Sequence, residues 1–145
     1  MQLRRWRSLR ATAIALMLGA MLSVASACAT METVAAEPGI TFDLPLGKTA
    51  VVSGTSTRIT FNQVTDDSRC PIDVVCVWAG DAKIQLTISR DGAADDVKVI
   101  SITSPNNETT SGDLRIRFVG LAPAPKSSES RASRAYVAQL VVNRG

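Results

Sequence analysis

Alternating polar and apolar residues, an abundance of β-branched side chains and turn signals every ten or so residues predict an all-β fold. The expected architecture is an antiparallel β-sandwich, immunoglobulin-like, of about seven strands. A small β-barrel is the alternative closure of the same strands. No segment beyond the N-terminal apolar run repeats apolar residues at i, i+3, i+4 and i+7, so helices are not expected.

The chain opens with Arg4, Arg5, Arg7 and Arg10, followed by an uncharged, mostly apolar run from Ala11 to Val24. Small residues, Ala25-Ser26-Ala27, then precede Cys28. A basic start, an apolar stretch and a small-residue cleavage site define a secretory signal, here residues 1–27. The charge-free stretch 11–31 approaches the length of a membrane span, but its Ala, Ser, Thr and Gly make it a weak hydrocarbon segment. Ala25-Ser26-Ala27 fits an ordinary signal-peptidase site, and directly before Cys28 it also resembles a bacterial lipobox, with Ala25 where Leu is usual. Ordinary cleavage would expose a free thiol in an oxidising compartment. Cys28 is therefore expected to carry lipid, with 28–39 a tether ending in Pro38-Gly39 and 40–145 a single sandwich domain. That places the protein in the bacterial cell envelope, lipid-anchored and facing the periplasm or the cell surface.

Along the domain, Thr41–Leu44 and Thr49–Val52 are the weaker strand candidates, separated from Arg58–Phe61 by Ser53-Gly54-Thr55-Ser56. Lys83–Ser89 alternates without a fault, and Val77 and Trp78 are expected at the head of that strand. Asp91-Gly92 is a hairpin signal, because type I′ turns need positive φ. Lys98–Ile102 follows, then a polar loop between Pro105 and Gly112. Asp113–Phe118 and Tyr136–Val142 complete the set, joined by the Pro/Ser-rich connection 123–133.

Charge excludes one large class of function. The whole chain carries 16 Lys+Arg and 13 Asp+Glu, but four arginines and no acids lie in the leader. The mature part therefore holds 12 against 13, so the basic balance is an export signal and no nucleic-acid footprint. Aromatics are also too few for a base-stacking platform.

With Cys28 lipidated, the other two of the three cysteines are left to pair with each other, Cys70 with Cys76. A structural disulfide there suits an exported domain. Five intervening residues argue against a redox pair, and two thiols without any histidine argue against zinc. Asp66, Asp67, Asp73 and Asp81 flank the loop, yet they lack EF-hand spacing, so no metal is expected. Trp78 is expected to pack over the core or the disulfide, and Gly80 to allow a bend before the strand. Arg69 either projects as a recognition group or pairs with Asp66 or Asp67 at the surface. Without histidine there is no Ser-His-Asp or Cys-His arrangement. Asp66-Asp67 and Asp95-Asp96 read as solvated turn charges, and no cofactor motif is present.

The segment Val64-x-x-Asp67-Ser68-Arg69-Cys70-Pro71, followed by Cys76-x-Trp78-x-Gly80, resembles a recurring class of small bacterial secreted proteins and lipoproteins. Similar members continue with an alternating strand and finish on a Tyr-containing strand like Tyr136–Val142. The resemblance covers most of residues 40–143 and is specific over 64–80. It implies a β-rich exported domain with this disulfide and supplies no catalytic residues.

The expected function is a non-enzymatic, lipid-anchored envelope protein acting as a binding module. Its expected partners are the membrane, through the N-terminal lipid, and an envelope protein or surface component. The alternative is a secreted hydrolase inhibitor acting through the stapled loop 69–76, with Arg69, Pro71, Asp73 and Trp78 as candidate recognition residues. Mass spectrometry of the native N-terminus is expected to show an acylated Cys28, and Cys28→Ser to release the protein from membranes. An unmodified residue 28 as the mature N-terminus overturns the lipid assignment.

Overall fold

The computed structural model describes residues 33–103, 105 and 107–145; the leader and Cys28 lie outside the described residues. Among the described residues the strands are β1 (Thr33–Ala36), β2 (Thr41–Pro45), β3 (Thr49–Val52), β4 (Arg58–Asp67), β5 (Ala82–Ser89), β6 (Asp96–Ser101), β7 (Glu108–Ser111), β8 (Leu114–Ala122) and β9 (Val137–Arg144). They form two sheets, ordered β1-β3-β4-β5-β6 and β2-β9-β8-β7. Every pairing is antiparallel except β1 with β3, which is parallel. The two ladders remain separate, so the strands build a sandwich and no closed barrel.

Alternation in the sequence becomes alternation in burial. On β5, Ala82, Ile84, Leu86 and Ile88 are buried, and on β8, Leu114, Ile116 and Phe118. Phe61, Phe118, Ile59 and Leu140 are among the largest fully buried side chains, and they form one continuous core between the sheets. The seven expected strands are present, with two more that carry no apolar period. Thr33–Ala36, expected in the tether, is an edge strand held by backbone pairing to β3, and only Ala36 is fully buried. β7 lies in the expected polar loop. Its Glu108 stands opposite Arg117 on β8 and accepts from Arg117 Nε at 2.5 Å, so charge pairing takes the place of an apolar pattern.

On β4 the alternation fails for a structural reason. The ladder with β5 shifts register between Phe61 and Gln63 and again between Val64 and Asp66. Each β-bulge inserts one residue and re-aims those that follow. Ile59, Phe61, Val64 and Asp67 therefore face Ile88, Leu86, Ile84 and Ala82, whose side chains all point into the core. The inward row of β4 thus ends on a carboxylate.

Strand directions sort the connections into two ends. β4 runs toward the 68–81 loop, and the β2–β3 turn and the 123–136 connection lie at that same end. β1 runs antiparallel to β4, with Thr33 beside Thr49 and Thr49 beside Thr60. β1 therefore begins toward the end that carries the 68–81 loop.

Candidate functional site

The core-facing end of β4 creates an electrostatic problem and solves it locally. The Asp67 side chain has no exposed surface. Arg69 grips it with both arms, Nε donating to Oδ1 at 2.7 Å and Nη2 to Oδ2 at 3.0 Å. Arg134 Nη1 and Tyr136 Oη donate to Oδ2 at 3.1 and 2.8 Å. Further donors of the two arginines reach backbone carbonyls. Arg69 donates to Leu121 O and to Pro123 O, the latter at 3.1 Å. Arg134 Nη2 donates to Glu129 O at 3.0 Å. One carboxylate thereby fixes the 68–81 loop and the 123–136 connection to the sandwich.

Burial alone would raise the Asp67 carboxyl, but hydrogen bonds from Arg69 and Tyr136 and the Arg69 charge outweigh it and hold the group below the usual carboxylate range. The Tyr136 phenol moves the other way, raised by burial and by its bond to the Asp67 carboxylate. Arg69 accordingly does not project from the loop. It makes the expected pair with Asp67, but inside the protein, where its side chain is 15% exposed.

Beyond this cluster the loop rises on a two-rung neck. Ser68 N donates to Asp81 O at 2.8 Å and Cys70 N to Ala79 O at 2.9 Å. Gly80 closes the neck with φ +72°, and a Cβ there would lie 1.8 Å from Ser68 O, so no other residue fits. Asp81 braces the far side, accepting from Ala82 N, Ser101 Oγ and Thr103 Oγ1 at 2.8, 2.7 and 3.0 Å. Cys70 and Cys76 are bonded, with Cα atoms 5.9 Å apart. Higher still, Ile72 N donates to Pro125 O at 3.0 Å, and Asp73 accepts from Ser127 N at 2.9 Å and Ser127 Oγ at 2.5 Å. Those Ser127 bonds hold the Asp73 carboxyl below its ordinary pKa.

The tip inverts the usual distribution of residues. Its one charged residue, Asp73, is turned to the neighbouring connection, whereas the apolar side chains point outward. Val75 is fully exposed, Val77 93%, Trp78 79% and Ile72 67%, with Val74 also exposed. Trp78 therefore does not pack over the core or the disulfide, and neither Val77 nor Trp78 joins β5, which begins at Ala82. The staple and neck keep the tip too far from the sheets for its side chains to reach the core.

The four acidic residues flanking the loop serve separate partners. Asp66 lies 3.7 Å from Arg131, and the other three are occupied as described. No group of three or more His, Cys, Asp or Glu side chains is placed to hold a metal among the described residues. An open groove of about 340 Å³ adjoins the Asp67 cluster, lined by residues including Leu46, Val64, Thr65, Arg134 and Tyr136. Its lining holds no carboxylate, thiol or imidazole.

Sequence reasoning missed the Arg134–Tyr136 half of the cluster, which lies 67 and 69 residues from Asp67. The available signal was slight: the chain's only tyrosine and an arginine two residues before it. The chain matches no protein-family model, and no curated protein and no solved structure matches it either.

Two outcomes follow from this geometry. Removing one partner of a buried ion pair leaves the others uncompensated, so Asp67→Asn is expected to lower unfolding free energy by about 3 kcal/mol. Because the folded Asp67 pKa is depressed, its contribution is full above the unfolded value near ~3.9 and is lost as pH falls through the folded value. Denaturant titrations across acid pH should therefore show a flatter acid limb in Asp67→Asn, and an unchanged limb counts against the assignment. The disulfide closes a seven-residue loop. The double variant Cys70→Ser, Cys76→Ser is expected to lose about 2.4 kcal/mol with its circular dichroism spectrum retained. A loss near zero would mean that the neck alone constrains the loop.

Proposed function

We propose that this is a non-enzymatic, exported envelope protein, lipid-anchored at Cys28, that works as a binding module through the apolar tip of its stapled loop. The observation that carries the reading is the outward display of Ile72, Val74, Val75, Val77 and Trp78 on a loop tip whose one charged side chain, Asp73, is tied to Ser127 of the neighbouring connection. Contiguous exposed apolar surface of this kind marks interaction sites. A staple, a two-rung neck and the contacts to Pro125 and Ser127 hold the tip in one shape, so binding needs little further ordering. Trp78 supplies a large side chain of the type that dominates interface energetics. The non-enzymatic reading is supported by the absence of histidine from the sequence and by the unreactive lining of the groove. The hydrolase-inhibitor reading loses its basic side chain, because Arg69 is committed to Asp67, Leu121 and Pro123.

Co-sedimentation of the Cys28→Ser chain with isolated bacterial envelopes tests the proposal. Val75→Asp combined with Trp78→Asp is expected to weaken binding by about tenfold or more. Val97→Asp with Val99→Asp should leave it unchanged, since those exposed valines lie on the outer face of β6, away from the tip. Equal losses from the two pairs, or from neither, overturn the reading.

A further inference from the structure

We infer that the partner of the apolar tip is the phospholipid bilayer itself, with the 71–78 loop seated in the interfacial layer of the membrane that holds the N-terminal lipid. The inference rests on the proposal that the tip is the contact surface, and it names what the tip contacts. Three observations carry it.

The first is chemical. Between Cys70 and Gly80 the single charged residue is Asp73, and it is occupied by the Ser127 amide and hydroxyl. The nearest rim charges are also paired, Arg131 with Asp66 and Lys126 with Glu129, each at 3.7 Å. A surface that meets lipid must carry its apolar side chains outward and keep its charge engaged at the rim; here the carboxylate of Asp73 is held by Ser127, on the neighbouring connection, with the Lys126 charge acting on it. A protein cleft is read by directional groups as well as by area. The outward side chains here offer one, the indole N–H of Trp78. An indole with an apolar body and a polar edge suits the headgroup boundary.

The second observation is the depth that the backbone permits. The amides of Cys70, Ile72 and Val74 are bonded within the protein, to Ala79, Pro125 and Pro71. The fold supplies no such ladder for the rest of the tip, so full immersion in hydrocarbon would strand polar backbone groups. Shallow seating among hydrated headgroups does not.

The third observation is direction and reach. β1 begins toward the loop end, because it runs antiparallel to β4. Residue 28 is five residues before Thr33, a reach of at most about 18 Å. Thr60 lies level with Thr33; from there β4 advances five β5 residues to Asp67, its two bulges discounted, and the neck rungs carry the chain three residues further to Cys70, about 26 Å in all at the usual strand rise. With the loop end facing the bilayer, a lipid on residue 28 is too short a leash to hold the loop clear of the surface. The same anchor that keeps the protein in the envelope thus delivers the tip to the headgroups.

The test uses the mature protein lipidated at Cys28, in which loss of the leader removes Trp6 and leaves Trp78 as the sole tryptophan. It is reconstituted into phosphatidylcholine vesicles with or without brominated acyl chains, and flotation verifies that every variant is bound. Bromolipid is expected to quench Trp78 by roughly threefold, with a blue-shifted emission that persists in molar salt, because the seating is apolar. Val75→Asp with Val77→Asp should abolish the quenching, whereas Val97→Asp with Val99→Asp should not. Trp78 emission that ignores bromolipid, and stays as open to aqueous iodide as without vesicles, overturns the inference. If tip substitutions still weaken envelope binding in that case, the contact surface stands and its partner is a protein. If they do not, both readings fall together.

Discussion

A single buried carboxylate organises one whole end of this protein. Asp67 closes the inward-facing row of β4, where a charge without partners would be costly enough to forbid the fold. It accepts four hydrogen bonds, from Arg69, just past the strand, and from Arg134 and Tyr136, at the far end of the 123–136 connection. Because those arginines also donate to Leu121, Pro123 and Glu129 carbonyls, meeting the needs of one side chain positions two irregular segments. Such segments have no sheet ladder to order them. A hydrogen-bonded polar cluster does that work instead.

Above that cluster the 68–81 loop is held at successive levels: the Ser68–Asp81 and Cys70–Ala79 rungs, the disulfide, and the bonds to Pro125 and Ser127. Gly80 is the position on which this path depends, since its φ is positive and Ser68 O occupies the place of a Cβ. The result is a stiff projection whose one charged side chain at the tip is tied to Ser127 and whose apolar side chains face out. A soluble domain gains nothing in stability from displaying Val75, Val77 and Trp78 to water. The arrangement makes physical sense when another apolar surface completes it, as in the proposed seating on a bilayer.

The rest of the sandwich serves as a rigid base. Its core is aliphatic and aromatic, and its sheets are separate ladders. Two of its edge strands, β1 and β7, lack an apolar alternation, one being held by backbone pairing and the other by the Glu108–Arg117 contact. Edge strands of that kind present little apolar surface of their own. This leaves the loop tip as the largest local concentration of exposed apolar side chains among the described residues.

What the sequence determined by itself is what depends on local pattern. Period-two alternation marked Lys83–Ser89 and Asp113–Phe118 as strands because successive side chains on a strand face opposite ways. The close spacing of Cys70 and Cys76 likewise pointed to the staple. Tertiary structure alone decided the rest. Backbone pairing made a strand of Thr33–Ala36, for which no side-chain pattern is required. Two bulges turned Asp67 inward, and partners 67 and 69 residues away made its burial possible. Once Asp67 was inside, Arg69 had to follow it, which removed the basic group from the loop's surface. Trp78 was left outside because the stapled neck holds it away from the sheets, a distance that no pattern of neighbouring residues records.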